Sequence, residues 1–207
     1  MKIINNKKDA IKELTRISSR TNSENNNKIN AIVEEILLKV KNQGDEAVEN
    51  YTKKFDGFNP DPMQVSEDKL VDAWDKIDSN LKRSLETAHK RIKKFHEKEI
   101  PISFTIKGEY GDTVQRRWRP VKNAGIYIPG GRAAYPSTVL MNAIPASVAG
   151  VEEIIMVSPG NTEGKINKTV LAAAHLSGIK KVFRIGGAQA IGALAFGTNQ
   201  INKVDVI

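Results

Sequence analysis

The sequence contains no cysteine, and this absence excludes a disulfide framework, a thiolate metal site and a cysteine nucleophile. No apolar run approaches the roughly 20 residues that a membrane-spanning helix needs, so no membrane partner is expected. The first eight residues, Met-Lys-Ile-Ile-Asn-Asn-Lys-Lys, lack the apolar stretch and cleavage site of a signal peptide. Together these absences predict a soluble, cytoplasmic protein.

Recognisable catalytic sets are missing as well. No Ser-His-Asp set, paired buried carboxylates or metal-ligand spacing can be assembled from the sequence. His89 and His96 lie two turns apart on a predicted helix, whereas zinc pairs on helices usually lie one turn apart. His175 falls in an alanine-rich helical segment. We therefore interpret these histidines as structural and expect no catalytic or metal-binding residue in this chain.

Charge and length point to a globular protein with anionic partners. The 207 residues are 40% hydrophobic, which suffices for one large or two small domains. The formal net charge of +8 suits nucleotides, nucleic acid or an acidic surface. Arg116, Arg117 and Arg119 surround Trp118, but no nucleic-acid motif accompanies them. Because an exposed, charged strand explains this cluster equally well, no nucleic-acid partner is expected.

The chain is predicted to divide into three parts. Residues 1–23 form a polar N-terminal arm with a short helix over residues 9–17. Residues 24–120 contain four amphipathic helices that resemble the helical part of an incomplete α/β domain, followed by a hairpin over residues 104–118. The helices are expected to begin at residues 29, 45, 66 and 79 or 80. Asp45 and Ser66 are the predicted caps of the second and third helices, and Ser79 or Asn80 opens the fourth.

Residues 121–207 are predicted to form a second, Rossmann-like domain that is truncated at its last strand. Apolar strands are expected at residues 125–128, 153–157 and 181–185, and a fourth begins at residue 204. The helices between them are predicted to be capped by Ser137 and Asn167. Strands that recur every 25 to 30 residues with intervening helices indicate βαβ units and a parallel sheet. The fold class is therefore α/β, with a helical N-terminal layer followed by an incomplete Rossmann-like sheet.

Two of these strands run into paired glycines. The first is followed by Gly130 and Gly131, whose amides are open to an anion, although a simple tight turn explains this stretch as well. The third strand runs into Gly186 and Gly187. Because the carboxyl ends of parallel strands share one edge, two such exits favour a ligand site there. Neither exit matches the dinucleotide fingerprint G-x-G-x-x-G.

Polar side chains near these exits are candidate ligand contacts. Tyr127 lies in the first strand and Tyr135 follows its glycines, and either ring could stack on a base or bond a ribose. Gln189 follows the second glycine pair and could bond an amide or a hydroxyl. The structural alternatives are core packing for Tyr127 and a polar position in the first helical turn for Gln189.

Three motifs carry a resemblance to a known family. The longest is Gly125-Ile-Tyr-Ile-Pro-Gly-Gly-Arg-Ala-Ala-Tyr-Pro-Ser-Thr-Val-Leu-Met-Asn-Ala-Ile-Pro-Ala146. The second is Arg184-Ile-Gly-Gly-Ala-Gln-Ala-Ile191, and the third combines Gly44-Asp-Glu-Ala-Val48 with Lys54-Phe-Asp-Gly57. The residues of these motifs closely resemble the corresponding stretches of the histidinol dehydrogenases, and the similarity runs over essentially the whole chain.

The resemblance implies a zinc-dependent homodimer that oxidises L-histidinol through the aldehyde to L-histidine and reduces two NAD. It implies two incomplete Rossmann-like domains, with terminal extensions that cross to the partner subunit. By resemblance, Tyr127 and Gln189 match NAD-contacting residues of the family, and the backbone of Gly130 and Gly131 forms one wall of the same cofactor site.

The resemblance also implies a chain about twice this length. The zinc ligands, the glutamate-histidine acid/base pair and the histidinol-binding residues of the family would lie in the other half. We therefore expect an N-terminal fragment that is inactive alone, binds NAD weakly at best and self-associates. The alternative interpretation is a stand-alone α/β module that binds a nucleotide or another anion.

Overall fold

The computed structural model describes residues 3–18, 24–131 and 134–207, with the side chains of residues 24–26 left aside. The helices in these residues are α1 (Lys7–Ser18), α2 (Glu24–Gln43), α3 (Asp45–Asp56), α4 (Glu67–Lys76), α5 (Ser79–His96), α6 (Pro136–Ala149), α7 (Lys168–Leu176) and α8 (Gly187–Phe196). The strands are β1 (Gln64–Val65), β2 (Phe104–Lys107), β3 (Thr113–Arg116), β4 (Asn123–Tyr127), β5 (Glu153–Val157) and β6 (Lys181–Phe183).

The main sheet has the strand order β1-β6-β5-β4. Strands β4, β5 and β6 pair in parallel, whereas β1 pairs antiparallel with β6. Beyond β4, Val206 forms a single parallel bridge with Ala124, and its carbonyl oxygen accepts a 2.8 Å hydrogen bond from the Gly125 amide. The predicted fourth strand is thus present as one bridge. Numbered along the chain, the parallel segments run 3-2-1-4, which matches the first four positions of the Rossmann strand order 3-2-1-4-5-6.

Helices cover both faces of this sheet because alternate strand residues point to opposite sides. On one face, Ile126, Met156 and Val182 share a core with apolar residues of α4, α5, α6 and α7. On the other, Ile155, Val157 and Phe183 share a core with residues of α2, α3 and α8. The predicted α/β class and its parallel sheet are confirmed.

Both cores contain residues from each side of Pro120. Helices α4 and α5 cover one face of the sheet, and α2 and α3 cover the other. The amphipathic helices before residue 120 therefore contact the sheet formed after it. The assignment of residues 24–120 and 121–207 to separate domains stays a prediction.

The helix starts agree with some of the sequence predictions and differ from others. Helix α5 begins at Ser79, as predicted, and its N-cap is Asp78, whose carboxylate accepts hydrogen bonds from the amides of Asn80 and Leu81. Helix α6 begins at Pro136 after Tyr135, because proline already fits the first helical position, and Ser137 lies inside the helix. The prediction of Ser137 as the cap of α6 was wrong. Asn167 does cap α7, accepting from the Thr169 amide.

Two further predicted caps also differ in detail. Asp45 is the first residue of α3, whereas the N-cap position is Gly44 with φ +58°. The Asp45 carboxylate instead accepts a hydrogen bond from the Gln200 amide, 3.2 Å away. Ser66 occupies the N-cap position of α4 without a capping hydrogen bond from its side chain. The prediction of Asp45 as the cap was wrong, while the position of Ser66 was predicted correctly.

The predicted hairpin is confirmed. Strands β2 and β3 pair antiparallel over four residues each, from Phe104 opposite Arg116 to Lys107 opposite Thr113. All eight of these strand residues are exposed. The hairpin therefore adds nothing to the two cores of the main sheet. The part of the chain that the structure describes has no helix with the length and apolar character needed to cross a membrane.

Candidate functional site

The three parallel strands end at one edge of the sheet, and the loops that follow them lie against one another. Pro159, just after β5, separates the glycines that follow the other two strands. A methyl group at Gly130 would lie 2.5 Å from Pro159 Cγ, and one at Gly186 would lie 2.6 Å from Pro159 Cβ. Since real Cβ atoms do not approach so closely, glycine is required at both positions for this packing.

Tyr127 connects the end of β4 with the residues that follow β6 through a hydrogen bond. It is the last residue of β4 and is half-buried against the core that includes α8. Its hydroxyl oxygen accepts a 3.1 Å hydrogen bond from the amide of Gly187, the first residue of α8. The phenolic proton is left for a second partner, so Tyr127 can donate a hydrogen bond to an oxygen of a bound molecule.

Gln189 lies in the first turn of α8 and is 1% exposed. Both its amide nitrogen and its amide oxygen are buried and, among the described residues, have no hydrogen-bond partner. The side chain folds back over Gly187, where a methyl group would lie 2.6 Å from Gln189 Oε1. A buried, unpartnered amide is unfavourable by about 1–3 kcal/mol for each group left unsatisfied. Packing alone therefore gives no reason for glutamine at this position.

Gly130 and Gly131 present exposed backbone at the same edge. Gly131 has φ +114°, and a methyl group there would meet no described atom within 4 Å. Its surface is therefore clear of side chains, as close approach of a ligand to the main chain requires. Tyr127, Gly130, Gly187 and Gln189, which come from two separate stretches of sequence, are thus brought to one edge.

The sequence analysis predicted β5 but did not include its end in the candidate site, although β5 lies between β4 and β6. Residues Ser158 to Asn161 follow β5, and with residues 129–131 they line a cavity of about 500 Å³. The cavity is completed by the loop up to the start of α7, including Lys165 and Asn167. The turn signal Ser-Pro-Gly at residues 158–160 was available, but only the strand order places it between the two glycine exits.

Among the described residues that line this cavity, Lys165 is the cationic one. Its ammonium forms a 2.7 Å ion pair with the Glu163 carboxylate, and both side chains are largely exposed. The hydrogen bond from Lys165 lowers the pKa of Glu163, and the same bond raises the pKa of Lys165. An exposed pair of this kind is weak, so Lys165 remains available to an anion.

The remaining candidates lie elsewhere. Tyr135 is 40% exposed at the start of α6 and does not line the cavity. His96 pairs with Glu99, and the ring of His175 lies 6.1 Å from that of Trp74. Burial, and then the charge of Lys93, lowers the pKa of His89. Across residues 3–18, 24–131 and 134–207, no group of three or more His, Asp or Glu side chains could hold a metal ion.

Comparisons with known proteins identify the family. The sequence model for histidinol dehydrogenase matches residues 19–207. A histidinol dehydrogenase of Prochlorococcus marinus (strain MIT 9312) is 90% identical over 207 residues, which are 100% of this chain and 47% of the relative. One from Aquifex aeolicus (strain VF5) is 52% identical over 177 residues, covering 84% of this chain and 40% of the relative.

A solved structure agrees with the sequence relatives. The crystal structure of histidinol dehydrogenase from Elizabethkingia anophelis matches with a TM-score of 0.81 and 40% sequence identity. The match covers 86% of this chain and 41% of that one. The chain thus spans about half the length of the relatives it matches. On this evidence, and as the sequence motifs indicated, the chain belongs to the histidinol dehydrogenase family.

Proposed function

We propose that this chain provides part of the NAD site of an enzyme that oxidises L-histidinol to L-histidine. We infer this reaction from the family to which the chain belongs. The observation that carries the assignment of the site is the buried Gln189 amide, which has no partner among the described residues and lies beside the Tyr127–Gly187 hydrogen bond. A polar pair at the carboxyl edge of a parallel sheet, next to exposed glycine backbone, suits a nucleotide.

The residues at this edge fit NAD, which would accept hydride from the alcohol. The phenolic proton of Tyr127 is free to bond a ribose or amide oxygen, and Gly130 and Gly131 leave room for a phosphate against the main chain. Gln189 would bond the cofactor through its amide. Because that amide is sealed from solvent, its side chain must turn outward when the ligand binds.

Zinc does not fit the described residues, which contain no cluster of metal-ligating side chains. Nor do the histidines and carboxylates described above form an acid/base pair beside the proposed NAD site. The described residues therefore provide no acid/base pair for the proton transfer that accompanies alcohol oxidation, and we expect this chain alone to be inactive as a dehydrogenase.

We also propose that the chain acts as a homodimer in the cytoplasm. Large apolar side chains are exposed around the hairpin, including Ile102 at 82% and Ile106 at 58%. Apolar side chains concentrated in one region are typical of an interaction surface. Sedimentation velocity should detect a dimer of this chain at micromolar concentration, and a monomer throughout that range would contradict the proposal.

The function is tested with a chimera. This chain would replace the matching 207 residues of the Prochlorococcus marinus (strain MIT 9312) relative. The chimera should reduce NAD when L-histidinol is added, whereas the 207-residue chain should not. Tyr127→Phe in the chimera should raise KM for NAD about threefold to tenfold, the effect of losing one hydrogen bond.

Tyr110→Phe is the matched control, because Tyr110 is almost fully exposed in the hairpin turn. This variant should leave KM for NAD and kcat unchanged. Three results would contradict the proposal: an inactive chimera that is folded, an unchanged KM in Tyr127→Phe, or histidinol oxidation by the 207-residue chain alone.

A further inference from the structure

We propose that two adjoining cavities at the C-terminal end of α5 form a binding site for a free aromatic amino acid. One cavity has a polar lining and a volume of about 300 Å³, and the other has a largely apolar lining and a volume of about 390 Å³. Ile100 and Val148 line both of them. Cavities of this size accommodate small molecules. We call the two the polar compartment and the apolar compartment of one site.

The site lies at the amino edge of the main sheet, opposite to the strand ends that precede Gly130 and Gly186. Ser147 in the last turn of α6 and Ser177 at the C-cap of α7 both line the polar compartment. Because α6 and α7 connect parallel strands, they run back along the sheet and end where β5 and β6 begin. The proposal therefore does not depend on the proposed NAD site.

The polar compartment contains one positive and one negative side chain that are not paired. Lys93 lies in the last turn of α5 and Glu97 is its C-cap residue, four positions later, a spacing at which opposite charges commonly pair. Among the described residues, neither side chain takes part in an ion pair. Burial, and then the charge of Lys93, lowers the pKa of His89, so the imidazole adds no charge at neutral pH. An ammonium beside Glu97 and a carboxylate beside Lys93 would neutralise both groups.

Ser177 adds a hydrogen-bonding group that lacks a partner. Its hydroxyl oxygen is buried and has no hydrogen bond within the described part of the chain. A buried polar group without a partner is unfavourable, and a bound carboxylate would accept a hydrogen bond from this hydroxyl. The last turns of α6 and α7 present the negative ends of two helix dipoles, which favour a bound ammonium. The polar compartment thus matches the two charged groups of an amino acid.

The apolar compartment suits an aromatic side chain. Its lining includes the ring of Trp118 and the three prolines Pro101, Pro120 and Pro145. Trp118 is 47% exposed, and the Arg116 guanidinium lies 4.8 Å from the centre of its ring. An aromatic ligand gains from contact with a tryptophan ring beyond the burial of its own apolar area.

The charged residues of the apolar compartment leave this preference in place. His96 and Glu99 line it but bond each other at 2.5 Å, and Arg119 is the third charged member of the lining. Ile102 and Ile106, which belong to the proposed dimer surface, line neither compartment. We therefore assign the aromatic ring of the ligand to this compartment and its amino and carboxylate groups to the polar one.

The experiment titrates the isotope-labelled 207-residue chain with L-phenylalanine and follows the indole N–H resonance of Trp118. Trp74 lines neither compartment, so its indole resonance is the internal reference. L-Phenylalanine should shift the Trp118 resonance alone, with a Kd of about 1 mM or lower. Phenethylamine lacks the carboxylate and 3-phenylpropionate lacks the ammonium, and each should bind about fivefold or more weakly. Glycine, which lacks the ring, should cause no shift.

Two variants test the charged groups separately. Lys93→Gln should weaken the binding of L-phenylalanine about fivefold without weakening that of phenethylamine, which has no carboxylate to lose. Glu97→Gln should weaken phenethylamine binding without weakening that of 3-phenylpropionate, which has no ammonium. Lys94→Gln is the matched control, because Lys94 is exposed next to Lys93 and lines neither compartment. It should leave every Kd unchanged.

The proposal is overturned if L-phenylalanine does not shift the Trp118 resonance at any concentration up to its solubility. It is also overturned if Lys93→Gln and Lys94→Gln lose affinity equally. Phenethylamine or 3-phenylpropionate that binds as tightly as L-phenylalanine would overturn the assignment to an amino acid. These measurements contain no NAD, so their outcome and that of the histidinol oxidation assay are read separately.

Discussion

Phe183 in β6 and Phe104 in β2 are both strand phenylalanines, yet the first is fully buried and the second is 48% exposed. The difference lies in what covers each strand. Strand β6 is paired on both sides and carries helices on both faces, whereas β2 pairs with β3 alone. Two-stranded hairpins are marginal in isolation, while a sheet between two helical layers provides a core. We infer that the main sheet and its helices provide most of the free energy of unfolding and carry the ligand-binding edge. The hairpin, in this view, provides an interaction surface.

The largest effect should come from truncating the two phenylalanines. Phe183→Ala should lower the free energy of unfolding by about 3–5 kcal/mol, because it removes a fully buried ring and leaves a cavity. Phe104→Ala should change it by less than about 1 kcal/mol, since the ring is half exposed. Urea unfolding followed by circular dichroism measures both. Equal losses would show that the hairpin shares the core, contrary to the comparison.

The next effect separates binding from packing at the edge of the sheet. Gln189→Leu should raise the free energy of unfolding by about 1 kcal/mol or more, because it removes a buried amide without partners. The same change should weaken NAD binding. Gln115→Leu on the exposed hairpin is the control and should alter neither quantity by more than about 0.5 kcal/mol. A Gln189→Leu protein that is less stable would mean that the amide has a structural partner.

A smaller effect is expected at the start of α5, one of the helices that cover the sheet. Asp78→Ala should destabilise the protein by about 1 kcal/mol, because the carboxylate accepts hydrogen bonds from two otherwise unpaired amides. Ser79→Ala, one position later, should change stability by less than about 0.5 kcal/mol. Thermal unfolding of the two variants gives the comparison, and the opposite ranking would contradict the assignment of Asp78 as the cap.

The smallest effect concerns the connection between β5 and β6. The pKa of Glu153 is lowered mainly by the hydrogen bond that its carboxylate accepts from the Lys181 ammonium, 2.7 Å away. A carboxylate whose pKa is lower in the folded state contributes its full stability above the unfolded pKa, and loses it as pH falls through the folded pKa. Glu153→Gln should therefore cost up to about 1 kcal/mol at neutral pH and nothing in acid. A cost that stays constant with pH would contradict this.

Local patterns in the sequence predicted the elements well. The strand predicted over residues 125–128 is present as β4, which covers Asn123–Tyr127, and the glycines after it lie at the carboxyl edge as expected. The apolar stripes of the helices showed that each has a buried face, but not which face of the sheet it covers. That choice depends on packing between distant segments. The start of α5 at Ser79 was predicted, but its cap could not be chosen from the sequence, because Asp78, Ser79 and Asn80 are all good capping residues and stand side by side.

The candidate site was only half predictable. Tyr127, Gly130, Gly131 and Gln189 stand next to recognisable strand ends in the sequence. Ser158 and Lys165 flank a similar signal, but their proximity to Gly130 depends on β5 lying between β4 and β6. Likewise, no local pattern reveals that the Gln189 amide is buried without a partner. Sequence reasoning finds residues beside a turn, whereas strand order decides which turns share a cavity.

The most direct test of the NAD site is a titration of the isotope-labelled chain with NAD, followed through its backbone amide resonances. We expect the amides of Gly130, Gly131 and Gly187 to shift together with one Kd, while those of the β2–β3 hairpin stay in place. Shifts confined to the hairpin, or no shifts at these glycines at saturating NAD, would contradict the assignment of the cofactor to the carboxyl edge of the sheet.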